Sequence, residues 1–409
     1  MKQRDKRRLH KLIIALLALS YAITGCMADT PNANKDMRRL EQGLRKTFNQ
    51  PSNPVKLEAR TKGHAEDSRP VSLLAATKPV RAIYVSSHVA NSSRMSGLIE
   101  LVNKTELNAM VLDFNSGIAL TIPERQGGKN KAAMRPVLSN RKAARQYREV
   151  IRNLKRRDIY LIARIVTFKN PELANAAPSW AIRKKNGTLW KDRNGTPWID
   201  PYSQESWEYP LALAELAARL GFDEVQYDYV RFPENAKKID REVQYANPEG
   251  WTKEEAIRRF LHRANHRAHQ NGIRVSADVF GMVGSSNDDM GIGQKWGKIA
   301  KEVDVISPMI YPSHYSKGMW GIRHPDLTPG PIVKHALQDA IKRNRRLNEQ
   351  GVSTAKIRPW LQGFTAGWID PHQKYGEAQI REQIVAARHA GLRSYMLWNS
   401  SSRYPIITT

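Results

Sequence analysis

The chain reads as an α/β protein: a (β/α)8 barrel of the TIM type, preceded by a signal peptide and a flexible linker. Three observations lead there. Eight short β-branched or aromatic runs lie between residues 81 and 400, helical segments separate them, and several of those segments close on glycine. Strands separated by helices pair in parallel through right-handed crossovers. Eight such units over residues 81–409 fit a barrel, whose usual size is about 250 residues with larger versions common. A doubly wound open sheet is the alternative, weakened by the lack of a G-x-G-x-x-G turn after the first run.

The chain begins with a basic stretch, residues 1–11, and a 14-residue apolar run, residues 12–25. This is the layout of a secretory signal peptide, and the run is shorter than the roughly 20 residues a transmembrane helix needs. Ile23, Thr24, Gly25 and the only cysteine, Cys26, resemble the lipobox of bacterial lipoproteins. The resemblance implies a mature chain that starts at lipidated Cys26, is anchored to the bacterial envelope and faces the periplasm or cell surface. Met27, where an aspartate would favour inner-membrane retention, points to the outer membrane. An ordinary signal peptide with a chance cysteine is the alternative.

One cysteine excludes a disulfide scaffold, an iron–sulfur cluster and a cysteine-rich zinc site, and 41% hydrophobic residues exclude wholesale disorder. The formal charge is +27, of which residues 1–80 carry +9. Such a charge raises nucleic acid as a partner, but nucleic acid is scarce outside the cytoplasm and none is expected. The excess then meets an anionic polysaccharide, lipopolysaccharide phosphates or acidic lipid, or it is a solvated face with no partner.

Residues 26–78 read as a tether, with Pro31, Pro51, Pro54 and Pro70 among small polar residues. Within it, residues 35–48 can form a basic amphipathic helix that docks on the domain or lies on a membrane. The barrel domain follows at 79–409. Its expected strands are 81–87, 109–115, 160–168, 224–232, 274–281, 303–311, 357–364 and 394–400. Helices are expected over 141–157, 206–220, 253–270, 332–350 and 378–390, with Gly221, Gly272, Gly351 and Gly391 at their ends. The sequence runs nine residues beyond Ser400, so the last barrel helix is absent or replaced, and the 35–48 segment is one candidate to cover the gap.

In this fold, active sites lie at the C-terminal ends of the strands. Period-two alternation puts Gln226 and Asp228 on one face of the fourth strand, with Val225 and Tyr227 on the other. Asp278 ends the fifth strand and Asp113 the second. Two carboxylates on neighbouring strand ends suit glycoside hydrolysis, one protonating the leaving oxygen while the other attacks the anomeric carbon or activates water. A buried structural or helix-capping role is the alternative for each.

The loops add aromatic groups. Trp180, Trp190 and Trp198 lie in an insertion that ends at Asp200, Tyr311 and His314 follow the sixth strand, Trp368 the seventh, and Trp398 and Asn399 stand on the eighth. Aromatic faces offer platforms for pyranose rings. Tyr229, Arg231, Tyr311, His314 and Trp398 are the expected positioning groups, with Asp113, Trp198, Asp200 and Asn399 as further binding residues. Each tryptophan alone is more simply a packing residue. His262, His266 and His269 on one helix are flanked by four arginines, which disfavours a metal, and neither metal nor cofactor is expected.

Residues 222–233, 276–281, 306–312 and 198–202 together resemble a glycoside hydrolase domain family of uncharacterised bacterial proteins, over about residues 79–404. The resemblance implies a TIM barrel and sugar hydrolysis without fixing a substrate. The fourth strand is also similar to the α-amylase pattern, whose positions Gly221, Asp223 and Asp228 occupy. Gln226 stands where that pattern expects a basic residue, and Asp278 where it expects a glutamate. Chitinases place their acid two residues beyond the last aspartate, where Val230 stands, so a chitinase mechanism is disfavoured. The expectation is a glycoside hydrolase acting on a cell-envelope or extracellular polysaccharide, with Asp228 as nucleophile or base and Asp278 as acid/base. A non-catalytic polysaccharide-binding lipoprotein on the same scaffold is the rival.

Overall fold

Alternating side chains along the eight apolar runs leave each strand with one face for the helices and one for a shared interior, and parallel pairing closes them into a ring. In the computed structural model the strands are β1 (Arg81–Val85), β2 (Ala109–Asp113), β3 (Tyr160–Val166), β4 (Glu224–Asp228), β5 (Arg274–Phe280), β6 (Val305–Ile310), β7 (Trp360–Gln362) and β8 (Tyr395–Trp398). Each pairs in parallel with the next, and β8 returns to β1. The structure describes residues 78–115, 120–121, 137–138 and 141–407. The expected signal peptide, Cys26, nearly all of the expected tether and the segment 35–48 expected as a helix lie outside the described residues.

The helices on the barrel exterior are α1 (Arg94–Lys104), α2 (Arg141–Lys155), α3 (Glu208–Leu220), α4 (Lys253–Gln270), α5 (Trp296–Ile299), α6 (Pro329–Glu349) and α7 (Glu377–His389). Their apolar stripes explain the docking. In α4, Ile257, Phe260, Leu261, Ala264 and Ala268 are buried, a helical spacing that makes one face, and Phe260 meets Tyr227 of β4 edge-on at 5.3 Å. Thr252 caps α4 through its hydroxyl, which accepts from the Glu255 amide. Gly221, Gly272, Gly351 and Gly391 all adopt positive φ at helix ends, as the sequence requires.

Two cores result. The larger lies between strands and helices and holds Ile83, Met110, Leu112, Ala163, Val225, Tyr227, Val275 and Leu397. The smaller fills the barrel with Ala82, Tyr84, Val111, Ile162, Tyr311, Trp360 and Met396. The interior also takes polar residues. Glu224 at the start of β4 is fully buried and ion-paired to Arg358, and Tyr160 donates to it at 3.1 Å.

The strand ends differ from expectation. The run expected over 224–232 stops at Asp228, because Tyr229 turns into the left-handed region at φ 50°. The run expected over 357–364 is divided at Pro359, so Lys356–Ile357 and Trp360–Gln362 pair with β6 separately; proline has no N–H for a ladder. Among the described residues no helix follows β8. Instead the segment after it folds back, with Tyr404 Oη 2.8 Å from the Tyr84 carbonyl and Ile407 buried.

Candidate active site

Inward parity carries Asp113, Arg164, Asp228 and Asp278 to the C-terminal ends of β2, β3, β4 and β5. Arg164 is the hub. Its Nε and Nη2 donate to Asp228 Oδ2 at 3.0 and 2.5 Å, and its Nη1 donates to Asp113 Oδ1 at 2.5 Å. The Tyr84 hydroxyl donates to the other Asp113 oxygen at 2.5 Å, and the Tyr229 amide donates to Asp228 Oδ1 at 2.6 Å. The guanidinium also lies 5.2 Å from the Trp398 ring and 5.7 Å from the Tyr84 ring, within cation–π range.

Asp278 differs from Asp228. It is only 2% exposed, and its Oδ1 accepts from Trp360 Nε1 at 2.8 Å. Burial first, and the neighbouring Asp228 charge second, hold its carboxyl well above the usual carboxylate range, against the opposing pull of the Trp360 N–H and of Arg164. A carboxyl shifted towards its protonated form beside one that accepts three N–H bonds is an arrangement that can divide acid and base roles. Tyr311 is buried beside the pair, and Trp398 packs on Tyr84 at 4.2 Å and on Trp360 at 5.5 Å.

His314 joins this region through Tyr311, at 5.3 Å. Its tautomer follows from its neighbours. The Ser313 amide donates to Gln362 Oε1 at 3.0 Å, and the Ser313 hydroxyl donates its one proton to the same oxygen at 2.8 Å. The hydroxyl must therefore accept from His314 Nδ1 at 2.9 Å. That leaves Nε2 a proton-free acceptor, buried and without a hydrogen-bond partner among the described residues. Burial lowers the ring's pKa to about 4, so the imidazole is neutral at pH 7.

Three expected binding residues, Trp198, Asp200 and Arg231, are taken up in packing of their own. Trp198 is 1% exposed; its Nε1 donates to Asp192 at 3.0 Å, and Lys169 and Arg231 lie over its ring. No face remains for a sugar. Trp180 and Trp190 are also buried, so the insertion's tryptophans build its own core rather than platforms. Arg231 is sandwiched among Trp198, Tyr229 and Phe280 and paired to Glu234 at 2.7 Å. Asp200 accepts from the Tyr202 and Ala246 amides, clasping the insertion to the segment before α4, and burial raises its pKa to about 6. Tyr229 serves Asp228 through its backbone. Asn399 ties β8 to Gly363 at 2.7 Å and caps the turn at Ser401. Of the helical histidines, His262 and His269 bond Glu302 and Asp304.

Arg164, Tyr84 and Trp360 were not among the expected residues. Their signal is parity: Arg164 follows Tyr160 and Ile162 on the inward face of β3, in register with Asp113 and with Gln226. Gln294 was missed too. Its side chain donates to the Asp278 carbonyl at 3.0 Å and accepts from the Phe280 amide at 3.0 Å, fixing the end of β5.

Among solved structures, a hypothetical protein from Ruminiclostridium thermocellum ATCC 27405 is 30% identical over 51% of this chain and 98% of its own, with a TM-score of 0.39. The PgaB (BpsB) glycoside hydrolase domain from Bordetella bronchiseptica is 15% identical over 80% of this chain and 95% of its own, with a TM-score of 0.52, a likeness of fold. No curated protein matches. The model of the family described as "Putative glycosyl hydrolase domain" matches residues 82–404, which take in all the barrel strands but Arg81 and all four residues of the charged cluster, and the chain belongs to that family.

Proposed function

We propose that this barrel hydrolyses glycosidic bonds in a cell-envelope or extracellular polysaccharide by two-carboxylate chemistry. One observation carries the reading: a buried Asp278, its carboxyl held well above the usual carboxylate range, stands one strand from an Asp228 carboxylate held by Arg164. Asp278 gives its proton to the leaving oxygen as the C–O bond breaks. Asp228 attacks the anomeric carbon, or takes a proton from the water that does; in the first case water then cleaves the ester and Asp278 accepts its proton. Tyr311 and Trp398 frame the ring. The His314 acceptor suits a hydroxyl donor. We further propose that the chain is exported and anchored through a lipid on Cys26, and that its basic surface favours an anionic polymer.

The test is release of oligosaccharides from purified envelope polysaccharides, followed by mass spectrometry, for wild type and Asp228→Asn. Asp228→Asn should fold and lose several orders of magnitude in turnover, since the charge that attacks or activates water is removed. Full activity in that variant would refute the assignment. The burial of Asp278, with one oxygen engaged by Trp360, favours a second reading, a polysaccharide-binding lipoprotein without catalysis. Binding with no product from any fraction would establish it.

A further inference from the structure

Asp228 has no basic neighbour on its own strand's inward face, where Glu224 and Gln226 precede it. Gln226 turns away from it, its amide nitrogen reaching Ser307 Oγ at 3.4 Å and Met396 Sδ at 3.5 Å. The charge that Asp228 meets comes from the adjacent strand, where Arg164 is the register partner of Gln226. The guanidinium spends two of its N–H groups on one Asp228 oxygen and a third on Asp113. Asp113 is itself fixed from its other side by Tyr84. A planar fork held at both ends has little freedom, and the buried pairs it makes are strong only because every member is satisfied.

We propose that Arg164 is the positioning residue of the site. It orients Asp228 from β3 through two N–H bonds to one carboxylate oxygen, and Asp113 with Tyr84 holds Arg164 rather than the substrate. This rests on the reading of Asp228 as the reacting carboxylate. Among the described residues, the other titratable groups facing Asp228 are Asp278 on β5, Tyr311 after β6 and Tyr229. None of these three is cationic, so loss of the guanidinium removes the cation hydrogen-bonded to the carboxylate.

The test uses the folded domain with its aspartate side-chain carboxyls labelled with carbon-13, with Asp228→Asn to assign the resonance. In Arg164→Gln the Asp228 carboxyl resonance at pH 7 should move away from its wild-type position. On whichever 4-nitrophenyl glycoside or envelope fragment the wild type cleaves, kcat should fall more than a hundredfold while KM changes little. Arg164→Lys keeps the charge but not the fork, so it should move the resonance less and recover part of kcat. Asp113→Asn should act in the same direction as Arg164→Gln, more weakly. A resonance and a kcat that stay put in folded Arg164→Gln or Arg164→Lys would overturn the proposal. If Arg164→Gln does not fold, Arg164→Lys and Asp113→Asn decide by the same readouts. Failure of the hydrolase reading looks different: Asp228→Asn would keep full turnover, while the carbon-13 resonance would still report whether Arg164 positions Asp228.

Discussion

At Asp278, burial and the Asp228 charge outweigh one hydrogen bond and two distant cations, and the sign of that outcome sets the pH behaviour. A proton-holding acid is lost as pH rises through its elevated pKa, so the alkaline limb of kcat/KM belongs to Asp278. Asp278→Asn should erase that limb and cut turnover of poor leaving groups by two or more orders of magnitude. It should spare substrates whose leaving group needs no proton, and an unchanged alkaline limb would remove Asp278 from the role. The same shift makes the folded form bind its proton more tightly than the unfolded one. Its contribution to stability is therefore fullest at low pH and is lost as pH rises above about 4. His314 works in the opposite direction. Its folded pKa of about 4 lies below the unfolded value near 6.5, so stability drains as pH falls from about 6.5 toward 4, by up to about 3 kcal/mol. His314→Phe, which also removes an unpaired buried acceptor, should flatten that acid loss in urea unfolding followed across pH. An unchanged slope would mean the ring is not neutral in the folded state.

At the scale of the element, the site depends on how tightly β5 and β6 approach. Gly281, directly after β5, has no room for a side chain: a Cβ there would lie 2.5 Å from both the Met309 carbonyl oxygen and the Tyr315 hydroxyl. Gly281→Ala should therefore destabilise by about 1–3 kcal/mol and lower activity, because the strand that yields carries Asp278. A melting temperature equal to wild type would show that the loop absorbs the methyl freely. The strand cores were legible because period-two alternation survives wherever one face meets helices and the other the barrel interior. Asp228 and Asp278 were placed by that rule alone. The strand ends were not legible, since Tyr229 leaves the β region through a backbone turn that no side chain announces. Trp198 and Arg231 were misjudged for a different reason: a tryptophan that closes a loop core and one that offers a platform have the same sequence signature. Arg164 obeyed the alternation rule but was hidden in an otherwise apolar run.

For the whole molecule, the barrel was legible because eight strand signals separated by helices admit few other closures, whereas the ending after β8 depends on contacts of Tyr404 and Ile407 with distant residues. Charge is a property of the same scale. Residues 81–409 carry +18, and the exposed Arg145, Arg148 and Arg152 recur along α2 at helical spacing, with Arg156 just beyond its end, as one basic stripe. The proposed envelope location admits two attachments, a lipid on Cys26 and a cationic surface, and salt separates them. Electrostatic attachment weakens as the screening length falls to about 3 Å near 1 M salt, while a lipid chain in a bilayer is unaffected. Wild type should therefore remain with membranes washed in about 1 M salt. Cys26→Ser should be unprocessed or soluble, and any fraction that still adheres at low salt should leave at high salt. Cys26→Ser protein that stays membrane-bound through the high-salt wash and has lost its first 25 residues would refute the lipid anchor, because neither lipid nor charge could then account for its retention.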